Sequence, residues 1–322
     1  MEIFRYKDGA RPNSLALTYV ALGYPISLWG LAVAGGLVWL LACLLLAHTL
    51  VIAAYLLHEC IHNTIFKNSH HNERLGMILA WLTGAAYTPY AILQKKHLRH
   101  HADRVDVLAI DYRQFIQARP ALQKFLTALQ RYHLPAAEFI SHYLALAAPF
   151  LLESRRQYRG YVLLVLCSRV LLFVLFAWIT PAMLAGHLFA WIILITVLGF
   201  MDAFQHQYEV RLQLDDNRIL REFDRDYEEA HTFSNLLSEK YPWLNLLVLN
   251  FCYHNVHHLK SGIPWYDLPT MHQQRYQDKP APVIRLSTQL RNFHQHRIAR
   301  LQGNATTGKD TGAAGVSFLV GV

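Results

Sequence analysis

A chain of 322 residues has room for one large domain or two ordinary ones. Its charged residues (16%) and apolar residues (53%) exclude an ordinary soluble protein, in which about 25% of residues are charged. The net charge of +8 does not point to nucleic acid, because the basic residues flank the apolar stretches and avoid their interiors. That is the pattern of a membrane protein with a basic cytoplasmic side. The four cysteines, Cys43, Cys60, Cys167 and Cys252, form no CxxC pair. No disulfide framework or thiolate zinc site is indicated, which fits a reducing compartment.

The N-terminal segment carries Arg5, Lys7 and Arg11 without a short apolar core and small-residue cleavage site, so it reads as an uncleaved cytoplasmic end. Residues 15–57 contain no formally charged side chain. A helix needs about 20 residues to cross a bilayer, so this stretch predicts two spans, 15–33 and 37–57, turning at Ala34-Gly35-Gly36. Residues 75–93 are apolar but broken by glycines, tyrosines and Pro89. A crossing there would carry the next histidines to the opposite side, so a re-entrant or interfacial segment is expected. The mixed region 94–159 includes a candidate interface helix around 136–152. Two more spans, 161–179 and 182–200, bend at Thr180-Pro181.

Neither outer turn carries Lys or Arg, which puts both long polar regions on the inside. From Met201 the chain is soluble in character, with an apolar run at 243–251, and 303–322 reads as a flexible tail whose 316–320 run touches the membrane. The expected fold is an all-α integral membrane protein: four transmembrane helices in two hairpins, with a cytoplasmic helical cap bearing the histidines. Residues 1–302 form one domain in this reading.

Nineteen histidines exceed what packing needs, and many are clustered. The first cluster, His58-Glu59-Cys60-Ile61-His62, closes the second span. On a helix its two imidazoles share a face. The string fits a zinc-protease HExxH motif with Glu59 as general base, and equally a bare HxxxH pair in which Glu59 has no part. The second and third clusters are His97-Leu98-Arg99-His100-His101 and His254-Asn255-Val256-His257-His258. Both read HxxHH, which puts three imidazoles on one helical face. A tetrahedral zinc uses three or four ligands, whereas eight histidines suffice for two six-coordinate ions with open positions. Imidazole suits iron as well as zinc.

A protease would leave six clustered histidines without a role, and a transporter should show internal repeats that this chain lacks. His48, His133, His142 and His187 read as packed or snorkelling side chains, and His70, His71, His294 and His296 as surface residues. Asp202 and His206 follow the fourth span, either as hydrogen-bonding support for a ligand histidine or as an ordinary polar helix end. Arg169 lies about eight residues into the third span, roughly 12 Å along a helix. It either snorkels to the interface or pairs with an acyl carboxylate or a carboxylate side chain.

With the three boxes in this order on two membrane hairpins, the chain resembles the membrane fatty acid desaturases and the related hydroxylases and ketolases. The resemblance runs from about Leu37 to Pro269. The string Phe251-Cys252-Tyr253-His254-Asn255-Val256-His257-His258-Leu259, with Pro264-Trp265 after it, looks much like the family's third box. His231-Thr232-Phe233-Ser234-Asn235 resembles a segment that precedes that box and makes His231 a candidate ninth ligand.

The resemblance implies two non-haem iron ions held by His58, His62, His97, His100, His101, His254, His257 and His258. It also implies an O2-dependent removal of hydrogen from a fatty acyl chain. Desaturation is the first expectation; hydroxylation and oxidative decarboxylation to a terminal alkene remain alternatives. No haem, flavin, nicotinamide or iron–sulfur motif is present in the sequence. An external donor, a ferredoxin or rubredoxin with its reductase, is therefore expected to dock on basic residues such as Lys95, Lys96, Arg99 and Arg104. A bacterial inner membrane, with its lipid around the spans and both chain termini cytoplasmic, completes the expectation.

Overall fold

The computed structural model describes residues 3–216, 223–303 and 310–312; the 316–320 run and most of the expected tail lie outside them. The order is α1 (Ala10–Val33), α2 (Gly36–Ile61), α3 (Ser69–Thr83), α4 (Tyr90–Asp103), β1 (Asp106–Leu108), α5 (Tyr112–Gln117), α6 (Pro120–Arg131) and α7 (Ala136–Leu151). There follow α8 (Arg159–Ile179), α9 (Pro181–Asp202), β2 (Arg211–Gln213), α10 (Arg225–His231), α11 (His254–Leu259), α12 (Leu268–Tyr276) and α13 (Leu286–Gln302). Helices α1, α2, α8 and α9 are each long and apolar enough to cross a membrane, and each contains one of the four expected spans. The protein is a multi-pass, mostly helical membrane protein. The chain divides into two compact units, Met1–Tyr90 with Pro149–Val197, and Ala91–Ala148 with Leu198–Val322.

In the first unit α1 and α2 form a hairpin through Ala34 and Gly35, with Gly36 at φ +57°, a left-handed conformation that suits glycine. Small residues let the two helices touch: a Cβ on Gly23 would fall 2.6 Å from Thr49 Oγ1. Without a hydrophobic drive between helices in lipid, such close packing holds them together. Pro181 starts α9 immediately after extended Thr180, and Thr180 Oγ1 accepts from Met183 N at 3.0 Å. Trp39 Nε1 donates to Ala182 O at 3.2 Å, joining the starts of α2 and α9. His187 packs against Phe173, Phe176 and Tyr24, and His48 Nδ1 is 2.6 Å from Tyr19 Oη.

The apolar stretch at 75–93 is split. Helix α3 has 15 residues, about 22 Å at 1.5 Å per residue, which is short of the roughly 30 Å hydrocarbon core. It ends at Gly84 with φ +90°, and the chain is irregular until α4. His70 and His71 are exposed at its start.

The described residues of the second unit combine helices and irregular segments with one parallel ladder, in which Asp106, Val107 and Leu108 pair with Arg211, Leu212 and Gln213. Buried Val107, Leu108 and Leu212 account for strand in so short a segment. The ladder joins the chain leaving α4 to the chain leaving α9. A core of Tyr112, Ile116, Leu126, Ile140, Leu144 and Leu301 packs α5, α6 and α7 with α13. Beside it Glu138 of α7 and Arg300 of α13 form a buried ion pair. His133 stacks on His294 with ring centroids 5.2 Å apart.

Candidate metal centre

The helical spacing of the second box delivers what it promised. On α4, His97 and His101 bring their Nε2 atoms within 3.0 Å. His100 Nδ1 lies 2.7 Å from Val105 O. A backbone carbonyl only accepts, so the Nδ1 proton is fixed there and the Nε2 lone pair faces inward. Helix α11 has only six residues and carries the whole third box, with His254, His257 and His258 all buried. His257 Nε2 lies 3.2 Å from His101 Nε2, so His97, His101 and His257 converge as one group.

The second group is centred on His206, four residues past α9. Its Nε2 is 2.8 Å from His254 Nε2, 2.8 Å from His258 Nε2 and 3.2 Å from His100 Nε2. A ring nitrogen offers one proton or one lone pair, so His206 cannot satisfy three such neighbours by hydrogen bonding. A cation accepting the lone pairs of His100, His206 and His258, whose ligand nitrogens lie within 4.8 Å of one another, can, and His254 meets the group through His206. The donor set therefore fits a metal ion that imidazole favours.

Burial pushes His100 down to about 4, with Val105 O opposing the shift and the Lys96 charge adding to it. It holds His206, His254 and His258 well below the usual histidine range, with neighbouring imidazoles adding to the effect. All four are neutral at pH 7, the form in which an imidazole can bind a metal.

The surroundings are polar and enclosed. His258 Nδ1 lies 3.0 Å from Glu228 Oε1, and Glu228 Oε2 accepts from Arg104 Nε at 3.1 Å. Such a carboxylate orients a ligand ring and raises its basicity. The ring of Tyr208 stacks on His206 at 4.9 Å. Lys96, Asp106, Asp202 and Gln205 line a cavity of about 20 Å³ together with His97, His100, His206 and His254. That is room for one water. Asp202 is thus beside the histidines, and burial raises the Asp106 carboxyl to about 6.

His231 stands outside these groups. Its Nδ1 is 2.7 Å from Tyr227 O, and its ring stacks on Tyr227 at 4.0 Å. The basic residues suggested for donor docking are largely engaged: Lys96 is buried, Arg99 pairs with Asp103, and Arg104 pairs with Glu228. Lys95 alone of the four is exposed.

In the first unit, α2 presents His58 and His62 from one face at its C-terminal end, with ring centroids 4.7 Å apart. Glu59 Oε2 accepts from Thr64 Oγ1 at 2.6 Å, and its Oε1 lies 3.7 Å from His58 Nδ1.

Sequence reasoning passed over Glu228 and Tyr208 and gave His206 a supporting part. None of the three lies in a repeated box, and their relevance comes from tertiary contacts alone.

Buried neutral imidazoles grouped on a helical membrane protein define a polyhistidine metal-binding membrane protein. The sequence profile of the family described as "Fatty acid desaturase" matches residues 15–286, and the chain belongs to that family of oxidoreductases. It is also similar to the "Fatty acid desaturase" of Bacillus subtilis (strain 168), with 25% identity over 275 residues that cover 78% of this chain and 73% of that protein.

Proposed function

We propose that the protein is an O2-dependent di-iron fatty acyl desaturase. It takes two hydrogen atoms from adjacent methylenes and leaves a carbon–carbon double bond. O2, two electrons and two protons are consumed, and two waters leave. The electrons come from a separate reduced ferredoxin- or rubredoxin-type carrier. The convergence of the His100, His206 and His258 nitrogens within 4.8 Å of one another, in a chain of this family, is the observation that carries the reading.

Paired iron, when bound, supplies the oxidising power that an unactivated C–H bond requires and acid–base side chains lack. The protein's part is to hold, orient and enclose. His100, His206 and His258 make one ligand set, with His254 beside His206. His97, His101 and His257 make another, and His58 and His62 of the first box are the remaining candidate ligands. His206 takes the ninth-ligand role in place of His231. Val105 O and Glu228 fix the tautomers of His100 and His258, while Asp202 supports the site from the adjoining cavity. Burial keeps the imidazoles neutral and keeps bulk water from the oxidising step. The polar regions face the cytoplasm of a bacterial inner membrane, where the donor docks, since the basic residues lie on that side of the spans.

The test is lipid and hydrocarbon profiling of cells expressing the protein or His257→Ala, with iron analysis of both purified proteins. The expected result is about two irons per wild-type chain and a new unsaturated acyl product that His257→Ala abolishes. Hydroxylated lipid or a terminal alkene would assign the alternative outcome. Full activity in iron-free protein would overturn the reading.

A further inference from the structure

Arg169 stands at the middle of α8 (Arg159–Ile179), ten residues from either end. At 1.5 Å per residue that is about 15 Å, too deep to snorkel to water. Its guanidinium instead lies over the ring of Trp81, 4.4 Å from the centroid. Trp81 is itself held by donating from Nε1 to Ser168 Oγ at 3.2 Å. Tyr24 and Tyr87 are the ionisable side chains that act on its charge, and His187 feels it in turn. No carboxylate is among them.

The sequence contains no acidic residue from Arg159 to Met201 or from Leu15 to His58. Among the described residues no ion pair involves Arg169, and its Nη2 is buried without a hydrogen-bond acceptor. Tyr87 belongs to the irregular segment between α3 and α4, whose Gly84 lies against Trp191 of α9. Irregular backbone at membrane depth persists where it is covered by protein or lines a site.

A permanently charged guanidinium among apolar and aromatic side chains is costly unless an anion meets it. Its planar fork matches one anion above all in a lipid phase, a carboxylate bound through two parallel hydrogen bonds. Resting on the acyl-oxidation reading above, we propose that Arg169, lying over the ring of Trp81, binds the carboxylate of an unesterified fatty acid. The substrate is then the free acid, since a thioester or glycerol ester offers no carboxylate at the end of its acyl chain.

The experiment is equilibrium binding of radiolabelled hexadecanoic acid and of methyl hexadecanoate to the purified iron-loaded protein, without reductant. Wild type is expected to bind the acid at least tenfold more tightly than the ester. Arg169→Gln should lose that preference and Arg169→Lys should retain part of it. Equal affinity of wild type for acid and ester overturns the proposal, as does an Arg169→Gln protein that still prefers the acid. The wild-type comparison decides the matter even if Arg169→Gln fails to fold. Because no turnover is measured, loss of iron or absence of oxidation counts against the reaction and not against this site. An active enzyme that binds acid and ester alike removes the site and leaves the reaction standing.

Discussion

At the scale of single residues, His206 and His231 sit differently from what their sequence surroundings suggest. His231 lies in a segment resembling one that precedes the third box, yet its Nδ1 and ring are taken by Tyr227. His206 has no box around it, yet three other Nε2 atoms meet its own. Replacing His206 with Ala is expected to lower bound iron from about two to about one per chain, while His231→Ala leaves the iron content unchanged. Metal analysis of the two purified proteins checks this, and the reverse order would return the ligand role to His231. Glu59 follows the same logic. Its Oε2 accepts from Thr64 Oγ1 and its Oε1 lies 3.7 Å from His58 Nδ1, so it sits beside the first box as a neighbour of His58.

At the scale of elements, the second unit depends on how α7, α9 and α13 meet. Gly199 leaves no room for a Cβ beside the Glu138 carboxylate, so the acid lies against the α9 backbone. Arg300 then reaches it from α13, with both side chains about 5% exposed or less. Tyr112 Oη donates to Arg300 O at 3.1 Å and ties α5 to the same point. Breaking a buried pair leaves an uncompensated charge, so Arg300→Met should cost roughly 3–5 kcal/mol of stability. Adding Glu138→Leu should recover much of that loss. Thermal unfolding of the single and double variants in detergent measures both effects. An exposed ion pair would give about 1 kcal/mol or less.

At the scale of the whole molecule, the neutral imidazoles make stability depend on pH. His100 has a folded pKa pushed from 6.5 to about 4, and His206, His254 and His258 shift the same way. Between those values the unfolded chain binds more protons than the folded one, so stability falls as the medium is acidified. The contribution is complete above the unfolded pKa of 6.5 and is lost progressively as pH drops toward about 4. Protons compete with iron for the same lone pairs, so metal is released in the same direction. Melting temperature and retained iron, followed from neutral pH downward, should decline together below about pH 6.5. A melting temperature flat across that window would contradict the buried, neutral state of the histidines.

Much of this protein is legible in the chain because both signals are local. Twenty or so uncharged residues must become a helix in lipid, since no water is there to satisfy a bare backbone. All four long helices could therefore be read directly. Imidazoles spaced i, i+3, i+4 must share a helical face whatever the helix packs against, so the boxes were visible too. Tertiary structure decided what depends on distant partners. The β1–β2 ladder joins the chain after α4 to the chain after α9 and sets His206 against His100, a contact between residues 106 positions apart. Packing buried Lys96 and set Arg99 and Arg104 against Asp103 and Glu228, which leaves Lys95 exposed among the four residues suggested for docking. Arg169, whose charge any hydropathy scan finds, gained its meaning from a tryptophan 88 residues away and from the absence of a carboxylate partner among the described residues. Local periodicity determines which side chains share a face. Only the fold determines which faces meet, because that turns on the packing of segments far apart in sequence.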